Sequence, residues 1–322
     1  MPKTYDFQVS DAADFARLVV SKAGVTESTS GKTAYTLEQD LATEARYYWR
    51  ARAQQGTASS AWSVVVSFRV GRNTPPVIRS IVAKGSRPNE PAYFADLDEE
   101  ITVTATVEDA QVAPERLVYE WSAPVGTFTG AGASVRWRAP KTATTPTKIV
   151  ISLTVRDAPA PGGATASSTV PINLHDSVRE IGDMVVQFLT DFSKQLPPAD
   201  VLRNFSDTCG GKAAELADVL RNQRCWKIDS YSVGAPTVTV SFKGTCTFRS
   251  RSGDACTSVP VDWRATYISS AVECAPPTGK PVGTKERAVG LDWVTAVYEG
   301  NRWWLCDSDF DGTTSTGARF ID

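Results

Sequence analysis

Histidine is almost absent from this sequence, and its scarcity limits the chemistry that the chain can perform. The 322 residues include one histidine, His175. It lies in a predicted linker, so we expect its side chain to be solvated at the surface. No Ser/His/Asp or Cys/His set for nucleophilic catalysis can be assembled with it, and no glycine-rich phosphate loop is found. The sequence therefore favours a non-catalytic protein.

The sequence also lacks a charge imbalance and any long apolar run. Its formal net charge is -2, without the basic excess that nucleic-acid binding requires. No apolar run approaches the roughly 20 residues of a membrane-spanning helix. We therefore expect neither a nucleic-acid partner nor membrane insertion. The hydrophobic content of 42% indicates a folded chain that can bury a core in each of its domains.

Cysteine is missing from the first 200 residues and is confined to the last third of the chain. The six cysteines are Cys209, Cys225, Cys246, Cys256, Cys274 and Cys306. An even number at wide spacings, without a C-x-x-C pair, favours disulfides over zinc or reduced thiols. This indicates an extracellular, cell-surface or periplasmic location. Six cysteines allow about 15 pairings, of which we predict Cys209–Cys225, Cys246–Cys256 and Cys274–Cys306.

Residues 1–72 alternate apolar and polar residues in short segments, the period of half-buried strands. The segments are 5–9, 47–53 and 63–70. Leu41, six residues before Tyr47, completes the pattern of a tyrosine corner. Together with Ala61-Trp62, these features resemble the later strands of a fibronectin type III domain. The resemblance implies a β-sandwich whose first two strands are missing.

Missing strands would leave an unpaired sheet edge and an uncovered apolar face beneath Trp49. One explanation is that the chain is a truncated piece. The other is that a neighbouring copy supplies a strand, and copies joined head to tail in this way would grow into a filament. The expected partners are other copies of the chain or cell-surface proteins, with carbohydrate as a further class.

Residues 77–174 follow a stiff Pro75-Pro76 linker and predict a second all-β domain. Segments 100–107 and 148–155 alternate cleanly, and Trp121 lies between them. This order resembles the immunoglobulin-like sandwiches of the polycystic-kidney-disease type in secreted bacterial proteins, although the W-x-F-G-D-G signature is absent. The resemblance implies that Trp121 is the core tryptophan. The acidic residues at 96–100 are either a calcium site or a solvated loop.

Residues 178–322 change period and predict helices at 178–192, 198–205 and 212–222, followed by strands. The predicted strands are 226–232, 237–249, 256–269, 288–298 and 302–306. Segment 188–192, the pair Val201 and Phe205, and the hairpin at 297–305 resemble the nuclear-transport-factor-2-like (NTF2-like) fold, a cone of sheet wrapped on helices. The expected architecture is two all-β immunoglobulin-like sandwiches followed by an α+β cone.

Two aspartates are candidates for a pocket inside that cone. Asp262 and Asp292 lie on predicted central strands, each beside a tryptophan, Trp263 or Trp293. Because neighbours in a strand point to opposite faces, both aspartates would face solvent if both tryptophans are in the core.

A run of alternating aspartates near the C-terminus is the strongest candidate for a metal site. The D-x-D-x-D-G spacing of 307–312 would let three carboxylates converge on calcium as the chain turns. The ligands would be Asp307, Asp309, Asp311 and the carbonyl of Thr313. Ala318 stands at loop position twelve, where an acidic residue is usual, so the site would be either incomplete or helped by Asp322. The alternative is a polar tail.

Two functions remain open. The first is a non-catalytic extracellular or cell-surface protein in which the sandwiches are spacers that present the cone for binding or assembly. The second is a secreted enzyme or small-ligand binder that uses the cone pocket for isomerase-like or hydrolase-like chemistry. A buried Asp262 or Asp292 in an open pocket would favour the second.

Overall fold

The computed structural model describes residues 2–157, 163–245 and 252–316, in which strands predominate over helices. The first unit is one five-stranded sheet in which β2, β1, β3 and β4 are consecutive neighbours and β5 also pairs with β3. Its strands are β1 (Thr4–Ser10), β2 (Leu18–Thr26), β3 (Arg46–Gln55), β4 (Ala58–Ser59) and β5 (Val66–Arg69). The Tyr47 hydroxyl accepts a hydrogen bond from the Ala42 N–H at 3.0 Å, as the tyrosine-corner resemblance predicts.

One face of this first sheet carries apolar side chains that are incompletely covered. Trp49 of β3 lies opposite Val9 of β1 on one side and Val66 of β5 on the other. Val9 is buried, but Trp49 is 37% exposed and Val66 is 47% exposed. The apolar stripe therefore continues beyond the area that the rest of the unit covers.

The second unit is a sandwich of two four-stranded sheets, with strand orders β10-β11-β8-β6 and β7-β13-β12-β9. Its strands are β6 (Val77–Lys84), β7 (Phe94–Asp96), β8 (Glu100–Glu108), β9 (Val118–Ser122), β10 (Thr127–Thr129), β11 (Ser134–Arg138), β12 (Thr147–Arg156) and β13 (Thr165–His175). Trp121, predicted as the core tryptophan, packs against the core of this sandwich, but Trp137 is its most buried tryptophan. Trp121 lies on the edge strand β9 and is only half-buried, whereas Trp137 lies beside central β8 and is fully buried.

The third unit packs helices on a five-stranded antiparallel sheet of order β14-β16-β17-β18, with β15 also paired to β16. Its elements are α1 (Ser177–Ser193), α2 (Pro198–Val201), α3 (Lys212–Cys225), β14 (Trp226–Val233), β15 (Thr237–Thr245), β16 (Ser252–Tyr267), β17 (Lys285–Glu299) and β18 (Arg302–Thr316). Asp176 caps α1 by accepting from the Arg179 N–H, and the helix buries its apolar stripe against the sheet. None of the described helices has the length and apolarity that crossing a bilayer requires.

The turn between β17 and β18 has the conformation that its sequence predicts. Gly300 and Asn301 both have positive φ, 60° and 65°. Glycine and asparagine tolerate this left-handed conformation, so the two long strands can be joined by a tight turn. The turn sets the register that carries β18 along β17.

Two of the three predicted disulfide pairs are wrong, because Cys209–Cys306 and Cys225–Cys274 are formed instead. Cys209 precedes α3 and Cys225 is its last residue, and the 14 residues of the helix span about 20 Å. A disulfide holds its Cα atoms only about 6 Å apart, so these two residues cannot pair. The third predicted pair, Cys246–Cys256, includes Cys246, which lies outside the described residues.

The fold brings each real pair together through backbone contacts. Ser206 donates its N–H to the Leu305 carbonyl at 2.7 Å, which aligns the loop containing Cys209 with β18. Ile268 donates its N–H to the Cys225 carbonyl at 3.0 Å, which brings the end of α3 to the segment after β16. Neither contact is visible from spacing along the chain.

His175 is not the solvated linker residue that we expected. It ends β13 with only 1% of its surface exposed, and its ring stacks on Phe94 of β7 at 5.1 Å between centroids. Its Nδ1 lies 2.8 Å from Glu180 Oε2, and its Nε2 lies 3.0 Å from the Tyr298 hydroxyl. The imidazole therefore ties the second sandwich to helix α1 and strand β17.

We expect Tyr298→Phe to lower the free energy of unfolding by about 1–3 kcal/mol, because it leaves a buried His175 nitrogen without its partner. Urea denaturation followed by fluorescence would measure the change. Tyr119→Phe is the matched control, since its hydroxyl donates to the Pro114 carbonyl at an exposed position. An equal loss of unfolding free energy in both variants would show that the hydrogen bond between Tyr298 and His175 stabilises the fold no more than an exposed one.

Candidate functional site

A cavity of about 330 Å³ opens between α1, α3 and one face of the C-terminal sheet. Six aromatic side chains line it: Phe188 and Phe192 of α1, Trp226 and Tyr231 of β14, Trp263 of β16 and Phe310 of β18. This volume lies at the lower end of the range of small-molecule sites, which is roughly 300–1,000 Å³. Hereafter we call this cavity the aromatic pocket.

Asp292 lies within the aromatic pocket, so the condition under which it would face solvent, a core position for Trp293, is not met. It pairs in register with Val259 of β16 and Phe310 of β18, and Val259 is fully buried. Strand alternation thus turns Trp293, rather than Asp292, away from the pocket. The side chain of Asp292 is only 8% exposed, and its Oδ1 has no hydrogen-bond partner among the described residues.

The electrostatics of the pocket follow from the burial of two carboxyl groups. Burial raises the pKa of Asp292 to about 7, and the nearby Asp309 carboxylate adds to the shift. Burial also raises the pKa of Glu215 to about 7, although Ser308 donates to it from its N–H at 2.6 Å and its hydroxyl at 3.2 Å. Both acids can therefore change charge near neutral pH.

Glu215 is a pocket residue that the sequence reasoning missed. It lies on α3 four residues before Val219, which is fully buried, so the two side chains share the face that packs on the sheet. A charged residue on the apolar stripe of a helix was the available signal. Its partner Ser308 lies within the aspartate-rich run and could be placed only from the register of β18.

Asp262 lies on the outer face of the sheet, as strand alternation predicts for a residue beside the pocket tryptophan Trp263. The Arg287 guanidinium donates to both of its carboxylate oxygens, at 2.9 and 2.5 Å. These hydrogen bonds hold the pKa of Asp262 below its usual range. The two candidate aspartates thus have opposite environments, and only Asp292 belongs to the pocket.

The aspartate-rich run does not form the turn that its spacing predicts. Asp307, Asp309 and Asp311 lie in the extended strand β18, which continues through Thr313 to Thr316. Side chains two residues apart in a strand are separated by about 6.6 Å, so three carboxylates spread along β18 do not converge on one ion. Within the described residues, no group of three or more His, Cys, Asp or Glu side chains could hold a metal. Ala318 and Asp322, named in the calcium hypothesis, lie outside those residues.

Because the carboxylates of β18 are spread out, we expect calcium chelation to leave the melting temperature of the protein unchanged. Differential scanning calorimetry with calcium and with excess EDTA would measure this. A lower melting temperature in EDTA would contradict the strand geometry and restore the calcium loop.

The acidic residues at 96–100 are paired with arginines. The pairs are Asp96 and Glu99 with Arg87, Asp98 with Arg138, and Glu100 with Arg136. Burial raises the pKa of Glu99 to about 7 even though Arg87 lies 2.7 Å away. Of the two alternatives for this segment, the solvated loop does not describe Asp96 and Glu99, whose side chains are mostly buried beside Arg87.

Comparisons with known proteins give no family. No protein-family model and no curated protein matches the chain. Among solved structures, it is similar to the endo-fucoidan hydrolase MfFcnA4 from glycoside hydrolase family 107, with 11% identity, 85% of this chain covered and a TM-score of 0.21. It is also similar to the FN1-FN3 domains of chicken CNTN1, with 11% identity, 96% of this chain and 88% of that chain covered, and a TM-score of 0.20. The match spans 33% of the hydrolase, and neither TM-score supports an argument about function.

Proposed function

We propose that the protein is an extracellular or cell-surface binding protein whose C-terminal unit, an NTF2-like cone, binds a small organic ligand in the aromatic pocket. The observation that carries this proposal is the unpartnered, buried carboxyl of Asp292 at the wall of a cavity with aromatic sides. The two β-rich units before the cone act as spacers that hold it away from an attachment point.

The cost of burying Asp292 argues that the residue is kept for a purpose. A buried carboxyl without a hydrogen-bond partner destabilises a fold, and an apolar residue of similar size would pack better at the same position. Such groups cluster at sites that use them. A ligand that pairs with the carboxyl offsets this cost and gains specificity from it.

The extracellular location is supported by the two disulfides, which persist in oxidising environments. Cys209–Cys306 joins the loop before α3 to β18, so it holds two walls of the aromatic pocket together. A pocket stapled in this way is suited to a site that must keep its shape outside the cell.

A second candidate function is proton-transfer catalysis in the same pocket. A carboxyl with a pKa of about 7 can act as a general acid or base near neutral pH, and Asp292 has this property. Under this alternative, Asp292→Asn would abolish turnover of a bound substrate while leaving its binding intact. Under the binding function, no bound ligand is converted.

The binding function is tested by filling the pocket. Ile228 lines the cavity from β14, so Ile228→Trp should exclude a ligand that the native protein retains. Native mass spectrometry after incubation with a small-metabolite mixture would detect the retained mass. Ile268→Trp is the matched control, because Ile268 is exposed and outside the lining. Retention of the same ligand by Ile228→Trp would refute the proposal.

Assembly with a second copy is a further part of the proposal. The exposed Trp49 and Val66 continue an apolar face that a strand from a neighbouring copy could cover. Successive copies joined in this way would form a filament. Trp49→Glu should then lower the apparent mass measured by light scattering at high protein concentration. A monomer at every concentration would exclude this assembly.

A further inference from the structure

We propose that the aromatic pocket selects organic cations, that is, ligands that carry an ammonium or quaternary ammonium group. This inference rests on the proposed binding function and specifies the chemical class of the ligand. It depends on the balance of charges in the lining and on the arrangement of the aromatic rings around Asp292.

The charged groups in the lining are mostly acidic. Among the described residues that line the cavity, four are acids, Glu215, Asp218, Asp292 and Asp309, and Arg221 is the only cation. Arg221 is already paired with Asp218 at 3.2 Å on the half-exposed side of α3. Of the other three acids, Asp309 has contacts of its own, and Asp292 and Glu215 are buried. The hydrogen bonds to Glu215 come from Ser308, which is neutral.

The negative charge of Asp292 disfavours ionisation of Glu215, and the negative charge of Asp309 disfavours ionisation of Asp292, in addition to the burial of both groups. A cationic ligand relieves both the burial cost and the repulsion. A neutral polyol such as a sugar can donate hydrogen bonds to these carboxyls, but it brings no positive charge to compensate their negative charge. The charge balance therefore favours an ammonium group over a hydroxyl group.

The aromatic rings supply the second half of the argument. Trp263 and Phe310 lie 6.5 Å apart between centroids, with their planes inclined by 56°. Both rings line the aromatic pocket, and the negative face of an aromatic ring attracts a cation. Arg221 already uses this interaction at the rim, where its guanidinium lies 6.0 Å from the ring centroid of Trp226.

Binding should be coupled to proton release. The titratable groups that face Asp292 are Asp309 from β18, Glu215 from α3 and Tyr231 from β14, while α1 contributes only apolar residues to the lining. A cation binds the ionised form of Asp292, so its affinity should rise with pH by up to roughly tenfold per unit below about pH 7. A neutral ligand has no such dependence.

The experiment compares cations with neutral analogues of the same shape. Choline and benzyltrimethylammonium are titrated beside the isosteres in which carbon replaces the quaternary nitrogen, with glucose as a polyol probe. Fluorescence of the pocket tryptophans and calorimetry report binding to the full chain. We expect at least one cation to bind about tenfold or more tightly than its isostere at neutral pH, from its pairing with the carboxyl and the rings.

Variants then assign the preference to the pocket. Asp292→Asn should lose most of the preference for the cation and most of its pH dependence, and Glu215→Gln should lose part of both. Asp262→Asn is the matched control, because this aspartate lies outside the pocket on the neighbouring strand.

The outcomes separate this inference from the proposed function. Equal affinity for cation and isostere, tighter binding of glucose, or an unchanged preference in Asp292→Asn overturns the cation assignment and leaves the pocket as a binding site. Failure of every probe to bind also overturns it. The binding function itself is refuted only if Ile228→Trp retains the same metabolites as the native chain.

Discussion

Removal of the Cys209–Cys306 disulfide by a double substitution to serine is expected to cost a third or more of the free energy of unfolding of the C-terminal unit. The bond closes a loop of 97 residues. In the chain-entropy model, a loop of this length stabilises the folded state by roughly 4–5 kcal/mol, against a total of about 5–15 kcal/mol for a typical domain. Guanidinium denaturation would measure the loss.

The same substitution should also disturb the aromatic pocket. Cys306 precedes the segment in which Ser308 holds Glu215, and Cys209 lies just before α3. Without the bond, α3 can move away from β18, so ligand affinity should fall together with stability. Non-reducing peptide mapping is the direct check of the pairing. Recovery of a Cys209–Cys225 peptide would contradict the structure.

Asp292→Asn is expected to stabilise the protein, and to do so only above acidic pH. The folded pKa of Asp292 is about 7, compared with 3.8 for the free group. Between about pH 4 and pH 7 the unfolded chain loses a proton that the folded chain keeps, so the free energy of unfolding falls as pH rises. A rise of about three units in pKa corresponds to about 4 kcal/mol. Above about pH 7 the free energy of unfolding is lowered by this full amount, because the buried carboxyl is then ionised.

The asparagine variant removes the ionisable group and therefore this penalty. It should gain up to about 4 kcal/mol over the native chain near pH 8 and little near pH 4. Urea denaturation at both pH values would measure the gain. Asp262→Asn should show the opposite sign, with a small loss at high pH, because Arg287 lowers the pKa of that carboxyl. A native chain and an Asp292→Asn variant with the same pH profile would contradict the burial of this group.

The elements that the sequence predicted well are those specified by local pattern. The apolar stripe of α1 depends on residues within a few turns of each other, and the helix begins and ends within one residue of the prediction. The hairpin at Gly300-Asn301 is likewise set by two residues that accept positive φ. Strands β8 and β12 follow from alternation alone.

The features that the sequence did not predict all depend on contacts between distant segments. The burial of His175 requires Phe94 and Tyr298, which lie 81 residues before it and 123 residues after it. The face of the sheet on which Asp292 lies depends on how β17 is paired with β16 and β18. A shift of this pairing by one residue would have turned the Asp292 side chain to the outer face. The disulfide pairs likewise depend on which ends of α3 lie near β18 and β16. Spacing along the chain carries none of this information.

The His175 junction has a consequence for how the chain can be divided. Phe94 belongs to the second sandwich, yet its ring packs among Phe242, Tyr298 and Trp303 of the C-terminal unit. A fragment that starts at helix α1 would leave this aromatic socket open to water, and a fragment that ends at β13 would expose the ring that fills it. Recombinant versions of the pocket should therefore begin at Val77, so that the second sandwich is expressed with it as one piece.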